Sequence, residues 1–474
     1  MNEAIRNIEP KELWNKFADL NAVPRPSKKE EKVIDFMRNF GEDLGLKTLV
    51  DDIGNVIITK PASSGMEDRK AIVMQSHLDM VHQKNNDTDF DFDKQGIAMF
   101  VDGDWVKANG TTLGADNGIG VATIMAILES KTIIHPPLEA LFTIDEETGM
   151  TGAIGLKGGM LRGDIMLNLD TEEDNEIGVG CAGGIDVTCT LPYEEERVPE
   201  EFTAYRIEIK GLNGGHSGMQ IHEGLGNANK IINRLLYSVI NEIHLSEIDG
   251  GGLRNAIPRE SIAIIVSNCA DDRFIKTHIL EEIKNIKSEF KTTEPNLDIT
   301  IDSVDRPDTM LGKNLSINLI KAIYATHNGV FRMSPDIPGL VETSNNVARV
   351  SVKDKVVRIL CLTRSSVESS KMDLANKLRA TFELIGGDVE FSGNYPGWTP
   401  NMESSILKVM RSLYIELHNE EPHVAACHAG LECGILGTNY PEMDMISFGP
   451  TIKNPHSPDE KVNIKSVQKF WSFL

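Results

Sequence analysis

Apolar residues recur at helical spacing over residues 11–41, with Leu13, Phe17 and Leu20 on one face. Pro24 and Pro26 interrupt that pattern before it resumes through Ile34 and Phe40. Four short apolar runs of strand length then follow, at Asn55 to Thr59, Ala71 to Met74, Leu138 to Ile144 and Ile165 to Leu169. A stretch with helical spacing, Ile119 to Leu128, lies between the second and third. Strands alternating with helices predict an α/β layer with a mostly parallel sheet. In such sheets ligands gather beyond the carboxyl ends of the strands. Polar motifs begin at three of those ends: His77 after Ala71-Ile-Val-Met, Glu146 after Leu141-Phe-Thr-Ile, and Asp170 after Ile165-Met-Leu-Asn-Leu.

The pattern changes near Cys181-Ala-Gly-Gly, and the acidic stretch Glu194 to Glu201 reads as a surface connection. From Thr203 the order becomes strand, helix, two strands, helix, strand, using Tyr205 to Ile209, Ile231 to Leu236 and Ser261 to Val266. A looser second version uses Asn314 to Ala325, paired strands at Val347 to Val352 and Val356 to Leu362, and a helix from Ser369 to Leu384. Two stacked α+β units are the expectation, closed by Tyr395-Pro-Gly-Trp398. A last helix near Ile406 to Leu417 and a strand at Met445 to Phe448 lead to His456. The predicted organisation is a first domain of 1–183 and 395–474, interrupted by an insert of 184–394.

Length and charge narrow the classes. A chain of 474 residues exceeds one ordinary core, which agrees with two domains. The formal charge of −23 argues against a nucleic-acid partner, which needs clustered Lys and Arg, and bound cations can offset part of it. The opening Met1-Asn-Glu-Ala-Ile-Arg lacks the features of a signal peptide, and no apolar run approaches membrane-spanning length. Six cysteines show neither a Cys-x-x-Cys pair nor a dense disulfide pattern, so a reduced cytoplasmic enzyme is expected.

The candidate chemistry lies in acidic and histidine residues of five short motifs. His77 and Asp79 are two apart, so in an extended segment they point to the same side. His77 can bind a metal through one ring nitrogen while Asp79 holds the other ring N–H. Asp116 in Gly114-Ala-Asp-Asn-Gly opens a helix, where it can be an N-cap or a bridging carboxylate. Of the adjacent Glu146 and Glu147, one can bind metal while the other takes a proton from water. Asp170 can also satisfy a loop backbone, and His456 in Pro455-His-Ser-Pro-Asp-Glu can be a surface histidine. Several coincidences at strand ends would be needed for all of the bland readings to hold together.

The motifs His77-Leu-Asp-Met-Val, Gly114-Ala-Asp-Asn-Gly, Asp145-Glu-Glu-Thr-Gly, Asn168-Leu-Asp and Pro455-His-Ser-Pro-Asp-Glu resemble those of the co-catalytic zinc exopeptidases related to carboxypeptidase G and aminoacylase. More closely, the chain resembles the aminoacyl-histidine dipeptidases, nearly end to end, including Gly214-Gly-His-Ser-Gly, Arg254-Asn-Ala-Ile-Pro and His428-Ala-Gly-Leu-Glu-Cys-Gly. The resemblance implies a zinc-exopeptidase-type α/β catalytic domain interrupted by a lid domain of two stacked ferredoxin-like units. It implies two zinc ions per subunit, with cobalt or manganese as substitutes. His77 and Asp170 would bind one metal, Glu147 and His456 the other, and Asp116 would bridge them. Asp79 would support His77, and Glu146 would be the general base. From the lid, His216 would stabilise the oxyanion, Asn255 and Arg364 would grip the substrate, and Gly430 would contact it through its backbone. Arg364 can also be a surface ion pair; Glu432 would lie near the free amine of the substrate, but it, His423 and His428 can as well be structural.

The implied activity is hydrolysis of Xaa-His and other unblocked dipeptides, with a homodimer as the expected assembly and no membrane partner. The same metal centre would serve a deacylase of desuccinylase or aminoacylase type. The long insert favours the dipeptidase, because related deacylases carry roughly half that lid. A non-catalytic metal-binding protein is the reading from another class, and it would be expected to have lost Glu146 or a ligand.

Overall fold

The structure, a computed structural model, describes residues 2–268 and 272–474. It divides into two compact units, the first comprising Met1–Gly180, Pro400–Ala426 and Leu431–Leu474 and the second Cys181–Thr399 with Cys427–Gly430.

The first unit is built on an eight-stranded sheet. Its centre is four parallel strands in the spatial order Leu138–Thr143, Ile72–His77, Ile165–Asn168 and Asp444–Ser447. Lys47–Val50 and Val56–Lys60 join antiparallel at one edge, and Glu176–Cys181 pairs antiparallel beyond Asp444–Ser447. Parallel strands are covered on both faces, which is why these runs read as continuous apolar stretches without alternation. The helix Ala115–Glu129 packs between strand Ile72–His77 and helix Lys11–Leu20, and is buried nearly all round. That close packing requires Gly120, since a Cβ there would meet Asn117 Oδ1 at 2.2 Å and Ser76 Oγ at 2.3 Å. A small antiparallel sheet places the hairpin Ile452–Lys453 and Lys461–Asn463 against Trp105–Ala108, and the loop of that hairpin carries His456 and Glu460.

The second unit is a nine-stranded antiparallel sheet. Thr203–Lys210, His244–Gly251, Ser261–Ser267 and Asp298–Val304 form one ferredoxin-like set, in the spatial order fourth, first, third, second. Gly183–Pro192, Val341–Lys353, Val356–Ser365 and Asp388–Tyr395 repeat that order, so the first set is inserted within the second. The two sets abut edge to edge through His244–Gly251 and Val341–Lys353, forming one sheet. Helices Ala228–Ser238, Asp272–Glu289, Lys313–Ala325 and Glu368–Glu383 share one core with the strands. Ile275, Ile279, Ile283 and Ile286 recur at helical spacing and face that core. The charged residues of the acidic connection are exposed while Val198 within it is buried, and Glu195–Arg197 pairs antiparallel with Thr309–Leu311. Among the described residues no helix is long and apolar enough to cross a membrane.

Candidate metal centre

Asp116 lies at the middle of the site. Its Oδ1 is 3.1 Å from His77 Nε2, and its Oδ2 is 3.1 Å from His456 Nε2. Asp170 Oδ1 approaches the same His77 nitrogen at 3.4 Å, and Glu147 Oε2 approaches the same His456 nitrogen at 3.0 Å. Two groups form around Asp116, His77 with Asp116 and Asp170, and Asp116 with Glu147 and His456, each with donor atoms within 4.8 Å of one another; His77 with Glu146 and Glu147, and Glu30 with Asp79 and Asp145, meet the same limit. One carboxylate is common to the first two. The helix-cap alternative for Asp116 does not hold, because Gly114 is the N-cap and Asp116 itself is non-helical at φ −79° and ψ 110°. Its peptide to Asn117 is cis.

Each donor is held from behind. Asp79 Oδ1 faces His77 Nδ1 at 3.3 Å and accepts from the Glu146 N–H at 3.0 Å. Its Oδ2 accepts from the Ser27 hydroxyl at 2.8 Å and the Glu147 N–H at 3.3 Å. Asn117 Nδ2 donates to Leu169 O at 2.9 Å and also to Asp170 Oδ1. Asp145, in the left-handed region at φ 53°, turns the chain from its strand into Glu146. His456 adopts φ 61°, so its ring is aimed by an uncommon backbone conformation for a residue with a Cβ.

The electrostatics are those of a site short of positive charge. Burial pushes the Glu146 carboxyl well above its usual range; His77 opposes this, and Asp170, Glu147 and Glu432 add to it. Glu147 and Asp170 are likewise raised, first by burial. Burial lowers His77, but Asp170, Asp116 and Asp79 outweigh it and leave the imidazole raised. His456 is pushed up to about 11 by hydrogen bonding to Asp116 and Glu147. Burial would raise Asp79, but His77, the Glu146 N–H and Ser27 hold it below its usual value. Among the described residues no Lys or Arg forms an ion pair with Asp116, Glu146, Glu147 or Asp170. Glu147 Oε1 is buried without a hydrogen-bond partner. Buried carboxylates in such numbers need a cation. The donor set, three carboxylates and two imidazoles with no thiolate, suits zinc, cobalt or manganese.

Glu432, left open in the sequence, and several residues not singled out there support this arrangement. Glu432 is fully buried, and its Oε2 accepts from Gln75 Nε2 at 2.5 Å and from the Thr143 hydroxyl at 2.6 Å. Asn168 donates to Gln75, and the Ser447 hydroxyl donates to Asn168 Oδ1 at 2.5 Å. A polar layer therefore crosses all four parallel strands just below the site, and burial pushes Glu432 up to about 8. Arg25 and Glu460 brace the loop of Asp116. Their sequence signals were a lone Arg between two prolines and the last residue of Pro455-His-Ser-Pro-Asp-Glu.

The remaining expected residues lie in the second unit. His216 Nδ1 accepts from the N–H groups of Gly218 at 3.2 Å and Met219 at 3.0 Å, which leaves Nε2–H as the donor. Burial and Arg364 lower His216 to about 4, so the ring is neutral. Gly218 is needed for close backbone approach, since a Cβ there would meet His428 O at 2.2 Å. Arg364 is 5% exposed and donates to Tyr395 OH at 2.8 Å, while its Nε has no partner. The surface ion-pair alternative for Arg364 therefore fails. Asn255 is exposed, and its carbonyl accepts from Ser217 N next to His216. Gly430 is half-buried. His428 is buried with Nε2 2.7 Å from the Ser344 hydroxyl, and His423 is exposed beside Glu176.

Comparison with known proteins agrees with the geometry. A model of peptidase family M20/M25/M40 matches residues 73–474. The cytosol non-specific dipeptidase of Escherichia coli (strain K12) is 45% identical over 472 residues, covering 99% of this chain and 97% of that protein. The crystal structure of aminoacylhistidine dipeptidase from Vibrio alginolyticus matches with a TM-score of 0.92 at 43% identity, covering 100% of this chain and 98% of that one. Aminopeptidase PepT from Bacillus cereus shares the fold, with a TM-score of 0.56 at 17% identity, covering 98% and 97% of the two chains.

Proposed function

This chain belongs to peptidase family M20/M25/M40, and from that membership we propose that it is a metal-dependent dipeptidase acting on Xaa-His and other unblocked dipeptides. The observation that carries the reading is Asp116, whose two oxygens face two different histidines, each with a further carboxylate. In this reading His77 and Asp170 hold one cation, Glu147 and His456 hold a second, and Asp116 bridges them. Zinc is the cation we assign. Two divalent cations at these groups supply Lewis acidity, which polarises a scissile carbonyl and acidifies a water.

The chain's own residues do the rest. Glu146, half-buried and without a hydrogen bond from its side chain to another described residue, takes a proton from the attacking water at its carboxylate. It then returns that proton to the leaving amine nitrogen. Asp79 holds the His77 ring so that Nε2 is the free donor atom. From the lid, residues 184–394 in this proposal, the neutral His216 offers Nε2–H to the developing oxyanion. Asn255 and Arg364 receive the free carboxylate of the dipeptide, a group that suits a guanidinium fork, and Gly430 adds a backbone contact. A cytoplasmic location and a homodimer complete the proposal; the former accords with the name of the Escherichia coli relative.

The test is hydrolysis of alanyl-histidine beside an N-acetyl amino acid, by chelated protein with and without added zinc. Zinc-dependent cleavage of the dipeptide alone, abolished in Glu146→Ala, is the expected outcome. Cleavage of the acyl substrate instead would move the function to deacylation. Activity on neither, with two metals bound, would favour a binding protein.

A further inference from the structure

Arg25 and Glu460 are two ionic side chains beside the centre that belong to neither ligand group, at 1% and 2% exposure. Arg25 Nη1 donates to Leu78 O at 2.9 Å and Asp79 O at 3.0 Å. Its Nη2 donates to Gly114 O at 2.6 Å and Asn21 Oδ1 at 3.1 Å. On the N–H side of the same loop, Glu460 Oε2 accepts from Leu113 at 2.7 Å and Gly114 at 2.9 Å. Its Oε1 accepts from Ala115 at 2.7 Å and Asp116 at 3.3 Å. Loop 113–116 is thus held through its carbonyl by a cation and through its N–H groups by an anion. The same guanidinium ties in the His77–Asp79 segment. The same carboxylate ties in the loop that carries His456.

We propose that Arg25 and Glu460 form a positioning clamp that fixes Asp116 between His77 and His456, and that the cation affinity of the centre depends on it. This inference rests on the metal-centre reading above. Opposite charges buried for stability alone are poorly suited to the task, since apolar side chains of similar volume often serve as well or better. What the charges supply here is fixed geometry. A guanidinium fork reaches carbonyls on two segments from two nitrogens held in one plane, whereas a lysine gathers its three donors on a single nitrogen and does not reproduce that spacing. A carboxylate offers acceptors on both oxygens, whereas an amide would turn its NH2 toward two of the four N–H groups.

The experiment titrates Co2+ alone into the chelated full-length chain, followed by visible absorption and by competition with a chromophoric chelator. Circular dichroism and thermal melting of the cation-free proteins are recorded in parallel. Glu460→Gln and Arg25→Lys, when folded, should bind Co2+ about 10–100-fold more weakly, with an altered visible spectrum. Wild-type affinity and spectrum in either folded variant would overturn the clamp while leaving the centre intact. Failure of both variants to fold would also overturn it, because the pair would then serve the fold. If only one folds, its titration decides. A wild-type chain that takes up no Co2+ would instead refute the metal centre, and the clamp with it.

Discussion

Replacing Asp79 with Asn removes one charge and one acceptor from a carboxylate that makes four contacts. With the amide oxygen kept toward His77 and the Glu146 N–H, the new NH2 faces Ser27 and the Glu147 N–H. The Ser27 hydroxyl can turn to accept, since it already has Met80 O as a second partner at 3.2 Å. The Glu147 N–H has no such option and is left unpaired, a defect that costs about 1–3 kcal/mol when buried. With the amide reversed, its NH2 faces His77 Nδ1 and makes that atom the acceptor. The ring proton then moves to Nε2, the nitrogen turned toward Asp116 and Asp170. Either orientation weakens the centre. Loss of a partner behind a metal-binding histidine lowers affinity about 10–100-fold, or about 1.4–2.8 kcal/mol at 1.4 kcal/mol per tenfold. The assay is activity against free zinc in a metal buffer, with calorimetric titration as a check. An unchanged zinc affinity would refute the reasoning. Lower turnover at saturating zinc with unchanged affinity would place Asp79 in proton transfer instead.

Glu146→Gln should lower kcat by about 10²–10⁴-fold while metal content by atomic absorption stays at the wild-type level. His216→Ala should lower kcat by about 10²–10³-fold, the scale of losing one oxyanion donor, again with metal retained; loss of both metals would sink that role. Arg364→Lys keeps the charge but loses the fork, so KM for a free dipeptide should rise while activity on a C-terminally amidated dipeptide changes little. Burial, aided by Arg364, lowers His428 to about 3 and His216 to about 4, against an ordinary value near 6.5. Below pH 6.5 the unfolded chain gains protons at these two positions that the folded one refuses, so their contribution to stability is lost as the pH drops from there to about 3, against the opposite contribution of the raised carboxyls. Melting curves of His428→Gln should therefore lose less stability, or gain more, than the wild type over that range; an identical slope in the variant would contradict it.

The parallel sheet was legible because strands covered on both faces have to be apolar along their whole length, as Leu138 to Ile144 is. The places of His77, Glu146 and Asp170 followed from the same logic, since polar residues directly after such runs have few roles except at the site beyond the strand ends, whereas the division into ligands and base came from the family resemblance. Other features depend on contacts far apart in the chain. Gly183–Pro192 is the first strand of a set whose second strand begins at Val341, and a set interrupted by another leaves no local signature. Glu432 stands in a motif the resemblance picked out without a settled role, and only the fold brings it to Gln75 and Thr143. Arg25 resembles any basic residue of a proline-bounded turn until its guanidinium is seen among the carbonyls of Leu78, Asp79 and Gly114. Asp116 is the intermediate case. Its position at a helix start leaves a cap and a bridging carboxylate both open, and the structure removes the cap while setting a histidine against each of its two oxygens.

The measurement that bears most directly on the shared-carboxylate centre is a stoichiometric zinc titration of the chelated chain, with alanyl-histidine hydrolysis and bound metal read together. Activity should rise to its plateau at two zinc ions per chain, and Asp116→Asn should hold fewer ions and show little activity at that ratio. A plateau at one ion per chain, full activity in the chelated protein, or wild-type behaviour of Asp116→Asn would contradict a centre built around Asp116.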